Sequence, residues 1–261
     1  MKPLRVLLFI FILVSCEPEE TTIIDDEILA TDIELYPEEL YSGNDQSLPI
    51  LKLTLRTSEI YPCFNYKIDF SKSFEKDEMT VIINNIHKPG ICLTAFGPAI
   101  ATLELPETTQ MLKIVRADQT DIYEVKINAE KIEILPRTTE FTDLINPITF
   151  RYPENSFAVV CGTNLDQTDL CANFFEKLDD MQSLSSYTFP ENGRTPYPDS
   201  SSGNWNNTSS RYFIYENETA LIEAVEQFEM FTQENLNRDD GNSLSIITWD
   251  NQSYYSYQLL E

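Results

Sequence analysis

The chain of 261 residues holds a single histidine, and only 18 lysines and arginines against 43 aspartates and glutamates. One histidine excludes His-rich metal sites and most imidazole-based acid–base chemistry. A formal net charge of −25 excludes nucleic acid as a partner, because a phosphate backbone is repelled by such a surface. Long apolar runs are scarce too. Beyond residue 14 there is no stretch of 18 or more apolar residues, so the body of the chain offers no bilayer-spanning helix. The patterns G-x-S-x-G, G-x-G-x-x-G, H-E-x-x-H and the phosphate-binding P-loop are all missing, and nothing calls for a cofactor. Hydrophobic residues nonetheless make up 42% of the chain and aromatics 11%, too much for a disordered protein and enough for about two domains.

The N-terminus reads Met1-Lys2-Pro3-Leu4-Arg5, followed by an unbroken apolar run over residues 6–14. As a helix such a run rises only about 14 Å, roughly half a bilayer core. Basic start, short apolar core and the closing Leu13-Val14-Ser15-Cys16 resemble the bacterial lipoprotein signal. The resemblance implies that residues 1–15 are removed, that Cys16 is acylated, and that the protein is held on a membrane through Cys16. Two or more acyl chains, at about 0.8 kcal/mol per buried CH₂, hold a protein stably on a bilayer. Residues 16–27 read as an acidic tether, with Glu17, Glu19, Glu20, Asp25, Asp26 and Glu27 and no Lys or Arg from residue 17 to residue 51. Cys16-Glu17-Pro18-Glu19-Glu20 is similar to the export signal of surface lipoproteins in Bacteroidota. That likeness implies an outer-membrane lipoprotein exposed at the cell surface.

Setting Cys16 aside leaves Cys63, Cys92, Cys161 and Cys171, an even number that reads as two disulfides in an exported chain. Three connectivities are open. The local pairs Cys63–Cys92 and Cys161–Cys171 keep each bridge inside one half of the chain. A zinc site from Cys63, His87 and Cys92 lacks C-x-x-C spacing and a fourth ligand.

Residues 28–136 read as strands at 30–36, 49–56, 66–71, 79–86, 99–105, 111–116, 121–127 and 131–135. Alternation is plain at Leu51, Leu53 and Leu55 and at Tyr123, Val125 and Ile127. Turn residues such as Ser42-Gly43-Asn44-Asp45 and Lys88-Pro89-Gly90 separate the strands. This pattern predicts an antiparallel β-sandwich of immunoglobulin-like architecture, without the Cys–Trp–Cys core of true immunoglobulin domains. Residues 137–147 read as a linker. Residues 148–261 change character, with strands at 156–161, 186–189, 211–215, 244–249 and 254–259 and helices at 169–184 and 219–235. The order β-α-β-β-α-β-β predicts an α+β domain, a ferredoxin-like α/β sandwich with an extra edge strand.

Catalytic signals are weak. Ser73-Phe74-Glu75-Lys76 spells S-x-x-K, yet its partner motifs are absent and its context is a charged turn. Carboxylate pairs of glycosidase spacing carry no weight in so acidic a chain. Residues 237–242 offer oxygens but lack EF-hand positions, so no metal site is assigned. The polar loop over residues 193–207 stands out instead. Arg194, Tyr197 and Trp205 sit there on a Ser/Gly/Asn background, a composition suited to ligand binding. The sequence therefore points to a non-enzymatic binding or interaction module with a protein or glycan ligand. A carboxylate-based hydrolase acting on envelope or dietary glycans is the alternative.

Overall fold

The computed structural model describes residues 31–41, 48–164, 167, 169–196, 201–202 and 205–260. Residues 1–30, which include the expected signal segment, Cys16 and the expected tether, lie outside the described residues, as does Tyr197. Thr31–Glu261 is one compact unit, inside which two sheets meet.

The first sheet has ten strands. They are β1 (Ile33–Leu40), β2 (Ile50–Tyr61), β3 (Lys67–Glu75), β4 (Glu78–His87), β5 (Gly97–Glu104), β6 (Met111–Arg116), β7 (Gln119–Ile127), β8 (Lys131–Thr138), β9 (Thr142–Leu144) and β10 (Ile148–Phe150). Their spatial order is β10-β8-β7-β6-β4-β3-β5-β2-β1-β9. The apolar alternation expected from the sequence is what builds this sheet. In β1, β5 and β6 every second residue is buried and the intervening ones reach water. Ile33, Leu35, Leu53, Leu55, Val81, Leu112, Ile114, Tyr123, Val125 and Ile134 fill the inner side.

The sheet is mixed, which corrects the expectation of a purely antiparallel one: β4 runs parallel to β6, β3 to β5 and β1 to β9. Periodicity sets which face a residue takes, not which neighbour its strand finds. The sheet curls so that its ends approach. Residues 137–147, read as a linker, carry β9 and stitch the ends together. Ile145 N donates to Leu35 O (3.1 Å), Ile134 N to Pro147 O (2.8 Å), and Thr149 Oγ1 to Pro37 O (2.7 Å). Asp121, fully buried, anchors this closure: its carboxylate accepts from the backbone N–H groups of Glu140, Phe141 and Thr142 and from the Thr142 hydroxyl. Arg116 lies over the Phe141 ring, 4.2 Å from its centroid, and donates to Thr31 O.

The second sheet comprises β11 (Ser156–Asn164), β12 (Leu184–Tyr187), β13 (Ser201–Ser202), β14 (Trp205–Tyr215), β15 (Ser243–Thr248) and β16 (Ser253–Tyr255). Its order is β12-β14-β11-β15-β16, with β13 paired to β14, and every pairing is antiparallel. Two helices, α1 (Asp169–Asp179) and α2 (Glu218–Asn235), cover one face. Asn217 caps α2, its side chain accepting from Ala220 N (3.2 Å). Phe157, Val159 and Cys161 of β11 meet Phe174 and Leu178 of α1 and Phe228 and Phe231 of α2. The other face is covered as well. Ala158, Tyr212 and Ile247 pack against Phe150, Tyr152, Phe189 and Tyr41, the last of which follows β1. This aromatic seam joins the two sheets.

The cysteines pair as Cys63–Cys92 and Cys161–Cys171, with Cα–Cα separations of 5.3 and 5.8 Å. The second bridge ties β11 to the first turn of α1.

Candidate functional site

The structure places Arg194 against the first sheet. Its backbone bridges β10, with Arg194 N donating to Ile148 O (2.8 Å) and Phe150 N donating to Arg194 O (2.9 Å). Its guanidinium lies over the Tyr36 ring at 5.0 Å and pairs with Glu38 at 3.4 Å. Gly193 is needed beside it, because a Cβ there would come within 2.6 Å of the Phe150 ring and 2.9 Å of Ile148. Arg194 thus fastens the start of its loop to β1 and β10. Trp205 begins β14 as the backbone partner of Asn164 and Ser202.

A cleft of about 460 Å³ opens where the two sheets meet. Glu39, Tyr41, Glu107 and Asn128 line it from the first sheet and its loops, and Tyr152 and Trp249 from the second. Arg151, between β10 and β11, lines it as well. Its Nε donates to Glu39 (2.9 Å), Nη1 to Asn128 O (3.0 Å) and Nη2 to Glu107 (3.1 Å). Glu39 is buried, and its second oxygen accepts from the Tyr41 hydroxyl. Tyr41 and Tyr152 meet edge to face with centroids 4.4 Å apart, and Trp249 Nε1 donates to Tyr215 Oη (3.0 Å). Pro49, Leu48 and the exposed Glu154 also line it. Arg151 also borders a second cavity of about 530 Å³, walled by Ile148, Phe150, Tyr187 and Pro190.

Burial pushes the Tyr41 hydroxyl far above the usual tyrosine range, and the adjacent Glu39 charge adds to this. For Arg151, burial works against the charge, but Glu39 and Glu107 outweigh it and hold the guanidinium firmly protonated. Both oxygens of Glu39 are therefore engaged by donors. The exposed Glu107 and Glu154, by contrast, form an acidic rim at the mouth of the cleft.

Sequence reasoning missed this cleft. One signal was available: Arg151 is the sole cation between Arg137 and Lys177, and it lies between Phe150 and Tyr152. Its partners come from far along the chain, Glu39 being 112 residues away and Glu107 44. Among the described residues, no group of three or more His, Cys, Asp or Glu is placed to hold a metal ion. No protein-family model matches this chain, and comparison with curated proteins and with solved structures finds no match.

Proposed function

We propose that this chain is an envelope lipoprotein, anchored to the outer membrane through Cys16 and displayed at the cell surface, that works by recognition rather than catalysis. Its ligand site is the cleft over Arg151. The observation that carries this reading is Glu39, a buried carboxylate with one oxygen on Arg151 and the other on Tyr41. Such a group builds a rigid wall; it is not one half of a free acid–base pair. The aromatic walls and the acidic rim of Glu107 and Glu154 favour a neutral or basic ligand, a glycan ring or a Lys- or Arg-bearing peptide.

The fold reading is finer than the layers alone. The order β12-β14-β11-β15, with both helices on one face, supports a ferredoxin-like sandwich extended at its edge by β16. We read the curled first sheet, one ten-stranded layer closing on itself, as standing in for the immunoglobulin-like β-sandwich.

The hydrolase reading survives through one observation, the presence of Glu39, Glu107 and Glu154 around one cleft. One experiment separates the two. Binding of basic peptides and oligosaccharides is measured by calorimetry on wild type, Glu107→Gln and Glu154→Gln, with product analysis in parallel. The expected result is binding without turnover, weakened by about tenfold when a rim charge is removed, at unchanged stability. Turnover abolished by Glu107→Gln would establish the hydrolase instead. Binding lost in Trp205→Ala but kept in both rim variants would return the site to the 193–207 loop.

A further inference from the structure

The end of the curled sheet opposite the turn at Lys76 carries a braced apolar tip. It is formed by the end of β2, the start of β3, the end of β4 and the start of β5. Five large apolar side chains stand out from it: Ile91 and Phe96 are each 80% exposed, Ile60 57%, Phe64 50% and Leu93 46%. These residues are fixed in place. Cys63–Cys92 crosses the base, Asn65 Nδ2 donates to Ile91 O (2.8 Å), and Leu93 N donates to Asn65 Oδ1 (3.2 Å). Gly97 packs against Phe64, where a Cβ would lie 3.1 Å from the Phe64 backbone. Tyr61 and Tyr66 stack beside them with centroids 4.6 Å apart. A monomeric protein seldom exposes so many apolar residues on one rigid projection.

Charge sets the tip apart from the rest of the molecule. About one residue in six of the chain is acidic, 43 of 261, yet residues 60–68 and 79–103 contain no carboxylate at all. They carry Lys67, Lys88 and the only histidine, His87. Glu59, Asp69 and Asp32 bound the region at its rim. The way out of the fold is at this same end. Because Ile33 pairs with Thr57, β1 begins where β2 ends, and Thr31 Oγ1 accepts from Glu59 N, next to Ile60. Residues 16–30 lead from there to Cys16, a covalent reach of at most about 50 Å.

We infer that this tip is a membrane-docking surface whose occupant is a phospholipid bilayer. Ile60, Phe64, Ile91, Leu93 and Phe96 enter the acyl boundary, Tyr61 and Tyr66 lie at headgroup level, and Lys67 and Lys88 meet lipid phosphates. Carboxylates stay at the edge of the tip, where Glu59 accepts from the Tyr61 hydroxyl (3.3 Å), and their scarcity is what lets this one face approach a surface that the rest of the molecule is repelled by. Docking there turns the cleft over Arg151, at the other end of the sheet's closure, into a site held at a set orientation to the membrane. Of the reading above, the anchor at Cys16 supports the docking and the cleft over Arg151 only gains an orientation from it; the anchor is absent from the tested chain and the cleft is not probed, so the two can fail separately.

The test uses the chain from residue 17 onward, which keeps the compact unit of Thr31–Glu261 whole. Flotation with vesicles of phosphatidylethanolamine and phosphatidylglycerol is compared for wild type, Ile91→Asp/Phe96→Asp and Lys88→Glu. Both tip side chains are exposed, so the double variant folds, which circular dichroism checks. Wild type is expected to float. The double aspartate lowers vesicle affinity by at least about tenfold, and Lys88→Glu by a few-fold, more at low salt. In Phe96→Trp, tryptophan emission shifts to the blue when vesicles are added. Wild type that stays out of the vesicle fraction overturns the assignment, as does flotation that survives the double aspartate. A wild-type dimer that becomes monomeric in the double variant, with no flotation, hands the surface to a second copy of the chain.

Discussion

The two sheets of this protein solve the same problem in opposite ways. The first buries one face and leaves the other wet, closing on itself so that its inner face becomes its own core. β5 shows the pattern, with Gly97, Ala99, Ala101 and Leu103 buried while Ile100, Thr102 and Glu104 are exposed. The second sheet is covered on both faces, by helices on one side and by the aromatic seam on the other. In β15 five consecutive residues, Leu244 to Thr248, are buried. A one-faced sheet can be read from alternation, whereas a two-faced sheet shows itself as an unbroken apolar run.

The strongest way to break the comparison is to place the same carboxylate on the outward face of each sheet. Ala158 is completely buried in the seam, and Ile82 of β4 is 43% exposed. Ala158→Asp is expected to cost about 4 kcal/mol or more, because an unpaired charge is taken out of water. Ile82→Asp is expected to cost under about 1 kcal/mol, an ordinary loss of strand propensity. Urea unfolding followed by circular dichroism reads both. Equal costs would mean that the seam is not a packed interface and that the second sheet is one-faced like the first.

A smaller effect sharpens the difference from the other side. The first sheet needs a clasp because it has no helices to hold it shut, and Asp121 is that clasp. Asp121→Ala leaves the N–H groups of Glu140, Phe141 and Thr142 without their acceptor and is expected to cost about 3 kcal/mol. The helix-covered sheet should be spared, so amide exchange ought to accelerate in β7 and β9 well before it does in β11 and β15. Uniform acceleration would show that the two sheets unfold as one.

Much of this was legible in the chain. The strand at Met111–Arg116 coincides with its expected bounds, and Leu51, Leu53 and Leu55 face inward as their spacing requires. Helix α2 begins one residue before its expected start, since Asn217 is a capping residue. What escaped has physical reasons. β9 and β10 are three residues each, too short for a period to show. The N-terminal half of β14, Asn206-Asn207-Thr208-Ser209-Ser210, has no apolar alternation and is recruited by the pairing of β11. Helix α1 stops at Asp179, short of the expected residue 184, because Met181 N and Leu184 N bond into turns that lead into β12. The cleft over Arg151 depends on residues from three distant parts of the chain, and no local pattern encodes such a meeting.

The mildest of these tests uses pH. Tyr123 is completely buried at the clasp, its hydroxyl paired with the Thr142 hydroxyl at 2.6 Å. Burial, reinforced by the charges of Asp121 and Asp143 and partly offset by Thr142, pushes its pKa up to about 12. In the unfolded chain the phenol ionises at the ordinary tyrosine value near 10. Below that value both states hold the proton, and stability is independent of this group. Between about 10 and about 12 the unfolded chain has released its proton while the folded one has not, so stability falls as pH rises through this window. Tyr123→Phe should lower stability slightly at neutral pH, by the lost hydrogen bond, and should flatten the alkaline fall. Urea midpoints taken from pH 8 upward check both. Should the alkaline fall persist undiminished in Tyr123→Phe, it would belong to other buried tyrosines, Tyr41 in the seam first among them, and the weak point in alkali would lie where the sheets join.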